Sequence, residues 1–216
     1  MYDFTFKAID LGITEEDRIK ILSELLTVSS SFWHYNQYRG CSMLPILSSN
    51  GDLSPVSKPG QHSNLKFTNA ANSCFTLKKI LEKKIFPFMN PIGKVTILRT
   101  NKKTALNLHI DSNKKEIGSR QHKFRFVISG KIDKLYFLDK NLNKIYVPND
   151  YNTYVMDGSH VHALEESDDE KITLCIGAPW NGQPNSLYEN ILKDSLYSVT
   201  ISRPDLDEKW LHPAYR

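Results

Sequence analysis

A histidine and an aspartate two residues apart are the side chains of this 216-residue chain best placed to do chemistry. His109 and Asp111 end an apolar alternation that begins at Leu106, and a histidine pair, His160 and His162, follows about fifty residues later. Residues i and i+2 of a strand point to one face, so His109 and Asp111 would share one cavity. A third ligand from a distant strand would complete two histidines and one carboxylate, the set that leaves three positions open on a non-haem Fe(II).

The elements that must position these residues are short strands separated by turn signals. Between residues 93 and 178 the turn signals recur at intervals of roughly ten residues, which favours a double-sheet jelly roll. Strands are predicted over 94–100, 105–111 and 122–129, a hairpin over 134–147 with its turn at 139–143, a strand over 154–164 interrupted by Asp157-Gly158, and a last strand over 171–176.

Two helices are predicted before these strands. Thr14 is a plausible N-cap with acidic residues directly after it, and a second amphipathic segment covers 73–85. Between them, 48–63 is rich in Ser, Pro and Gly without periodicity, which is typical of a lid or binding loop. The stripes predicted to pack on the sheet are Ile19, Leu22, Leu25 and Leu26 in the first helix and Leu77, Ile80 and Leu81 in the second.

We therefore predict a single domain, 1–216, that is mainly β with flanking helices. It would have a helical front over 1–92, a jelly-roll core with the metal site over 93–180, and a C-terminal helix and tail over 181–216. The C-terminal helix is predicted from Ser186 to about Leu196. A chain of this length, 40% hydrophobic and 24% charged, can bury a core without disulfides or a structural metal.

Composition argues against several classes of protein. The net charge of +4 is modest and no single basic face is evident, which argues against a nucleic-acid partner. Cys41, Cys74 and Cys175 are odd in number and form no CxxC, which indicates a reducing compartment. No apolar run approaches about eighteen residues and the N-terminus carries no signal-like segment, so we expect a cytoplasmic protein without a membrane partner.

The order of these elements resembles the Fe(II)/2-oxoglutarate-dependent dioxygenases, and among them the aspartyl/asparaginyl β-hydroxylase-like group that includes free-proline hydroxylases. The resemblance covers roughly 93–180 and rests on the strand before His109-Ile110-Asp111, the Arg-bearing strand ending at Ile128, and the run from Met156 to His162. It implies a double-stranded β-helix (a cupin-like jelly roll) that uses Fe(II), 2-oxoglutarate and O2. The substrate would be an amino acid such as proline, or an Asp, Asn or Pro side chain of a protein.

The family pattern also assigns the remaining ligands. His160 and His162 would share a strand face, but a ligand five residues after the acid and about ten before a basic residue fits His162 better. That basic residue is Lys171, where family members usually carry Arg. Lysine keeps the positive charge but cannot bind a carboxylate through two parallel hydrogen bonds, as arginine does. Lys171 would anchor the far carboxylate of 2-oxoglutarate with a hydrogen bond from Thr173. Arg125, a charge inside an apolar strand, is the alternative anchor.

Further candidates lie around this set. Asn107 shares the predicted face of His109 and Asp111, where it would either orient a ligand or be an ordinary in-facing polar residue. A substrate carboxylate or carboxamide would be bound by the aromatic and basic cluster of Trp33, Tyr38 and Arg39, with Arg120 and His122 as further candidates. His34, His62 and His212 are interpreted as surface or packing residues.

Two function classes remain at this stage. The first is the dioxygenase. The second is a non-catalytic cupin-like barrel that binds a metal or small ligand without turnover. The sequence makes no prediction of the oligomeric state.

Overall fold

The computed structural model describes residues 4–37, 39–54, 64–88, 92–112, 114–118, 122–132, 134–177 and 195–212. Within them, helix α1 spans Glu15–Thr27, and α2 spans Phe75–Ile80 and continues as a π-helical turn over Leu81–Ile85. Short 3-10 turns cover Ser30–Phe32, Asn69–Ser73, Phe86–Phe88, Lys114–Glu116 and Glu208–Trp210. The strands are β1 Phe6–Ile9, β2 His34–Asn36, β3 Cys41–Ser49, β4 Leu65–Phe67, β5 Val95–Thr100, β6 Leu106–His109, β7 His122–Ser129, β8 Leu135–Leu138, β9 Lys144–Tyr146, β10 Thr153–Asp157, β11 His162–Leu164, β12 Lys171–Ile176 and β13 Ser195–Val199.

These strands form two antiparallel sheets. The large sheet has the order β13-β1-β10-β7-β12-β5-β3-β2, with β4 added to β3, and the small sheet has the order β6-β11-β8-β9. In the part of the chain that the structure describes, α1 and α2 share one core cluster with the large sheet, and α1 contacts both β7 and α2. The predicted fold class, a mainly β jelly roll with flanking helices, is confirmed.

The strands of the large sheet present different chemistry on their two faces. On β12, Ile172, Leu174 and Ile176 belong to the core on the helix side of the sheet, whereas Lys171, Thr173 and Cys175 line a cleft between the two sheets. Successive side chains of a strand point to opposite faces. The period of two therefore places apolar residues under the helices and polar residues in the cleft.

Helix α1 begins at a capping box, as the acidic residues after Thr14 predict. Thr14 Oγ1 accepts from the Asp17 amide at 3.1 Å, and the Asp17 carboxylate accepts from the Thr14 amide at 3.1 Å. Such reciprocal bonds satisfy amides that a helix start leaves without partners. The Glu24 carboxylate of α1 in turn accepts from the amides of Thr76 and Leu77, so α1 also caps α2.

The predicted stripe of α1 is partly wrong. Ile21 and Leu25 are the buried residues of this helix, whereas Ile19 and Leu26 are 57% and 68% exposed. The rotation of the helix is set by tertiary contacts, among them the bond from Arg18 Nε to the Ile128 carbonyl of β7 at 3.2 Å. In α2 the predicted stripe of Leu77, Ile80 and Leu81 is buried, as expected.

The terminal segments differ from the prediction. The helical front also supplies β1 to β4, and β1 lies inside the large sheet between β10 and β13. The end of the predicted C-terminal helix is instead strand β13, because pairing with β1 overrides the local preference; residues 186–194 lie outside the described residues. Of the predicted loop 48–63, Ser48 and Ser49 belong to β3 and 55–63 lie outside the description. No helix in the described ranges is long and apolar enough to span a membrane.

Candidate metal centre

Three side chains converge where the small sheet borders the cleft. His109 ends β6, Asp111 follows two residues later, and His162 begins β11 directly opposite His109 in the antiparallel register. His109 Nε2 lies 3.6 Å from Asp111 Oδ1, and His162 Nε2 lies 3.9 Å from Asp111 Oδ2. The potential ligand atoms all lie within 4.8 Å of one another, and all three side chains are buried. The structure thus brings together the three residues that the sequence singled out.

Backbone carbonyls orient both imidazole rings. His109 Nδ1 lies 2.7 Å from the Asn107 carbonyl oxygen, and His162 Nδ1 lies 2.8 Å from the His160 carbonyl oxygen. A ring nitrogen facing a carbonyl must carry the proton and donate it, which leaves the lone pair on Nε2. Burial and the neighbouring His109 lower the pKa of His162 to about 3. His162 is therefore neutral near pH 7 and presents an unprotonated Nε2 to the cleft.

Three cations surround the carboxylate of Asp111. Lys123 Nζ lies 2.8 Å from Oδ2, Arg39 Nη2 lies 3.4 Å from Oδ1, and Arg125 Nη2 lies 3.9 Å from Oδ2. Burial raises the pKa of Asp111, but Lys123, the His109 ring and Arg39 together outweigh burial and hold the pKa well below its usual value. The carboxylate is therefore ionised, as a metal ligand must be.

The donor set fits a divalent transition metal. Ligands in adjacent positions about 2.1 Å from a metal stand about 3 Å apart, so the observed separations of 3.6 and 3.9 Å need only small side-chain shifts. Non-haem Fe(II) sites hold the metal with two imidazole nitrogens and one carboxylate on one side and leave the other side open. In this chain the open side would face the cleft. The residues present therefore fit the ion that their spacing predicts.

A glycine lets the backbone approach Asp111 closely. The Asp111 amide donates to the Gly158 carbonyl at 2.7 Å. A β-carbon on Gly158 would stand 3.2 Å from Asp111 Cβ and 3.1 Å from Lys123 Cε. Such contacts are tighter than ordinary packing, so a side chain at position 158 would push Asp111 or Lys123 away by a few tenths of an ångström.

The turn that carries Gly158 is held by a buried ion pair. Arg203 binds the Asp157 carboxylate and donates to Ser159 Oγ at 3.0 Å. Ser159 donates to the same carboxylate through its amide at 3.0 Å and its hydroxyl at 2.6 Å. Burial raises the pKa of Asp157, but Arg203 and Ser159 outweigh it and keep the pKa below its usual value. The C-terminal segment thus fixes the turn that precedes His162.

His160 lies apart from this group, and the prediction that it shares a face with His162 is wrong. Its Nε2 lies 2.7 Å from the Leu138 carbonyl oxygen, and its ring meets Phe137 edge-on with centroids 5.4 Å apart. The turn after Asp157 breaks the strand alternation, and β11 begins only at His162. The structure places His162, and not His160, beside His109 and Asp111.

A cavity opens between the two sheets beside this group. Its empty space, counted out to and including its open mouth, is about 770 Å³. The small sheet and the residues after β6 contribute the three potential ligands, and the large sheet contributes Lys171, Thr173 and Arg125. Both predicted anchors for the co-substrate therefore reach one cavity. Apolar lining comes from Leu98, Leu106, Ile132, Leu135, Met156 and Leu164.

Several predicted site residues lie elsewhere. Trp33 packs against the core on the helix side of the large sheet, outside the cleft lining. His122 stacks on Phe4 with centroids 4.3 Å apart, because it occupies the opposite face of β7 from Lys123. The Asn107 side chain is exposed, and its backbone carbonyl is what orients His109. Of the remaining candidates, Arg39 lines the cleft, whereas Tyr38 and Arg120 lie outside the described residues.

Two residues at the site were not predicted. Lys123 contacts Asp111, and its position two residues before Arg125 on β7 was a usable signal because the two share a face. His212 meets His109 edge-on with ring centroids 5.1 Å apart, and burial lowers its pKa to about 4. The interpretation of His212 as a surface or packing residue does not place it beside His109, because no local pattern indicates a contact across about one hundred residues of chain.

Comparisons with known proteins establish the fold. No family model matches the sequence, and no curated protein matches it. Solved structures do match. HygX from Streptomyces hygroscopicus, solved with nickel and 2-oxoglutarate bound, is 10% identical with a TM-score of 0.52, covering 96% of this chain and 95% of that chain. SnoN, a non-haem α-ketoglutarate-dependent epimerase from nogalamycin biosynthesis, is 8% identical with a TM-score of 0.51, covering 80% and 76%.

A prolyl hydroxylase from Trichoplax adhaerens, solved with a peptide fragment of hypoxia-inducible factor, is 12% identical with a TM-score of 0.49, covering 88% of this chain and 87% of that chain. At such identities the likeness defines a class of fold. The chain shares the jelly-roll fold of these neighbours. Within that fold it carries a His-Asp-His group able to hold a metal ion.

Proposed function

We propose that this protein is an Fe(II)- and 2-oxoglutarate-dependent oxygenase of the aspartyl/asparaginyl β-hydroxylase-like group. It would hydroxylate an amino acid, such as proline, or an Asp, Asn or Pro side chain of a protein. One observation carries the proposal: the Nε2 atoms of His109 and His162 and the carboxylate of Asp111 converge on a cleft that also contains Lys171 and Thr173.

In this proposal His109, Asp111 and His162 hold the metal. When bound, Fe(II) and 2-oxoglutarate supply the oxidising chemistry: O2 is consumed, a substrate C–H bond becomes C–OH, and 2-oxoglutarate is converted to succinate and CO2. The side chains and backbone of the protein position the metal and the reactants. The backbone carbonyls of Asn107 and His160 keep both imidazoles in the ligating tautomer, and Lys123 holds Asp111 ionised and in place.

Lys171 is proposed to bind the distal carboxylate of 2-oxoglutarate. It begins β12, is buried and lines the cleft, and Thr173 lies on the same face two residues later, where its hydroxyl can donate to the same carboxylate. Arg125 lines the cleft as well. It is the alternative anchor, since its guanidinium would bind a carboxylate through two parallel hydrogen bonds.

The apolar lining serves the reaction by excluding water. Leu98, Leu106 and Leu164 line the cleft from both sheets. A dry cavity strengthens every charge–charge contact inside it and limits side reactions. A small or peptide substrate would therefore place one C–H bond near the metal while its polar groups bind the cationic residues of the cleft.

Succinate formation tests the proposal. The purified protein, supplied with Fe(II), 2-oxoglutarate and O2, should release succinate, and one of the twenty amino acids or a peptide in a library should stimulate the release. His162→Ala should abolish the release and His160→Ala should retain it. A protein that binds metal and yet forms no succinate with any candidate would instead be the non-catalytic cupin-like barrel.

A further inference from the structure

The residues next to the potential metal ligands belong to an apolar cluster outside the cleft lining. Ile110 lies between His109 and Asp111, and Ala163 follows His162. Ile110 and Ala163 are buried in the same cluster, and neither lines the cleft. Because successive side chains of a strand point to opposite faces, this cluster lies behind the ligands, on the side of the small sheet that faces away from the cleft.

A C-terminal segment packs on this cluster. The segment covers residues 208–212 and is called the C-terminal strap below. Its 3-10 turn, Glu208–Trp210, is followed by Leu211, which is buried in the same cluster. The Trp210 carbonyl accepts from the Ile110 amide at 2.7 Å, and Leu211 forms a parallel bridge with Ile110. The strap is therefore paired to the backbone between the first two potential ligands.

Local hydrogen bonds give the strap a defined conformation. The Asp207 carboxylate accepts from the Lys209 amide at 2.8 Å, which caps the start of the turn. The amides of Trp210 and Leu211 donate to the carbonyls of Asp207 and Glu208 at 3.2 and 3.1 Å. Bonds between residues three apart tighten the chain into a single turn. The strap thus reaches the small sheet with a fixed geometry at its end.

The residue after Leu211 contacts a ligand ring directly. His212 is buried, and its ring meets the His109 ring at 73° with centroids 5.1 Å apart. The His109 ring also meets the His162 ring with centroids 4.4 Å apart. One hydrogen bond, from Nδ1 to the Asn107 carbonyl, leaves an imidazole able to tilt, because its χ2 preference is broad. The two ring contacts therefore restrict the rotation that directs Nε2 of His109.

We infer that the C-terminal strap is part of the metal centre, with His212 as a positioning residue that holds the His109 ring in its ligating orientation. This inference rests on the proposed function and adds a role for a segment about one hundred residues away in the chain. Groups that orient metal ligands commonly contribute about 10- to 100-fold to metal affinity. His212 lies outside the cleft lining, so it acts through His109 and not on a substrate.

Titration with Co2+ tests the inference without turnover, because the visible spectrum of this ion also reports the geometry of its ligands. His212→Ala should weaken Co2+ binding by about tenfold or more and change the spectrum, since the His109 ring gains room to tilt. His212→Phe keeps a planar ring at the same place and should retain most of the affinity. If His212→Ala does not fold, His212→Gln, which fills more of the space without a ring, replaces it with the same expectation.

Two controls separate positioning from stability. Leu25 is buried in the core on the helix side of the large sheet. Leu25→Ala should lower the thermal stability of the metal-free protein without changing the Co2+ affinity or spectrum. Glu208→Gln is the control within the strap, because the pair of Glu208 with Lys114 is exposed, and it should change neither. Thermal unfolding of the metal-free variants checks that each is folded.

The outcomes separate the inference from the proposed function. If the wild-type protein binds no Co2+, the proposed function fails, and the inference fails with it. If the wild type binds Co2+ and His212→Ala binds it with unchanged affinity and spectrum, the inference is wrong while the proposed function stands. Equal losses of affinity in His212→Ala and Leu25→Ala would assign His212 to general stability. An equal loss in His212→Phe would show that ring packing does not position His109. Either of these two results would overturn the inference.

Discussion

Strands β7 and β12 have one face under the helices and one face in the cleft, and the two faces differ in chemistry: the first is apolar and the second carries charged residues. On the helix side, Phe124, Phe126 and Leu174 are fully buried in the core. On the cleft side, Arg125 and Lys171 line the cavity. Alternating apolar and charged residues usually indicate a strand with one face in solvent. Here the charged face lines the cleft. The apolar residues of each strand therefore stabilise the core, and the charged residues of the same strand are placed to bind a ligand.

The largest effect should come from losing a potential metal ligand. We expect His162→Ala to weaken Co2+ or Mn2+ binding by more than about 100-fold, since even residues that only orient a ligand contribute 10- to 100-fold. His160→Ala should leave most of the metal affinity and lower stability instead, because His160 packs on Phe137 and bonds to Leu138. Metal titration of both variants checks this. The opposite result would reassign the third ligand.

Two substitutions on opposite faces of β12 test the comparison directly. Leu174→Ala should lower the free energy of unfolding by about 2 to 5 kcal/mol through the cavity it leaves, with little change in 2-oxoglutarate affinity. Lys171→Ala should weaken 2-oxoglutarate binding by about 2 to 5 kcal/mol, with a smaller change in stability. Urea unfolding and calorimetry measure the two effects. If Arg125→Ala weakens 2-oxoglutarate binding and Lys171→Ala does not, Arg125 is the anchor.

The close approach at Gly158 connects the large sheet to the metal group. Gly158→Ala should displace Asp111 or Lys123 and weaken metal binding by about tenfold, the lower range for changes beside a ligand. Gly177→Ala is the matched control, because a β-carbon there meets nothing within 4 Å. Metal titration distinguishes them. Unchanged affinity in Gly158→Ala would show that Asp111 tolerates the shift.

A buried charge outside the cleft lining should contribute to stability in a pH-dependent way. Asp157 has a lower pKa in the folded chain than its ordinary 3.8, so it stabilises the fold above about pH 4, and this contribution is lost as the pH falls through the folded pKa. Asp157→Asn should therefore cost about 1 to 3 kcal/mol near neutral pH.

Denaturant unfolding of Asp157→Asn at neutral and strongly acidic pH measures this, and the difference from wild type should shrink in acid. The exposed pair of Asp168 with Lys103 provides the control. Asp168→Asn should leave the stability almost unchanged at either pH, because solvent screens an exposed ion pair. A pH-independent loss in Asp157→Asn would mean that packing, and not the ion pair with Arg203, stabilises the turn.

Local patterns predicted much of the core correctly. Strands β7 and β12 begin and end at the predicted residues, 122–129 and 171–176, and the hairpin turn falls at 139–143 as expected. The N-cap at Thr14 is also confirmed. These features depend on side-chain alternation, turn residues and capping groups within a few positions. Such interactions can be predicted from the sequence because they involve residues close together in the chain.

The sequence by itself therefore determined the jelly-roll class and the residue types of a His-Asp-His group. Only the tertiary structure decided which face of each strand and helix is buried, that His162 lies opposite His109, and that Lys123, Arg39 and His212 gather around the same ligands. The tertiary structure also places strand β13 where the sequence predicted the end of the C-terminal helix. The reason is physical: these outcomes depend on pairing and packing between residues distant in the chain, which outweigh local preference once the sheets close.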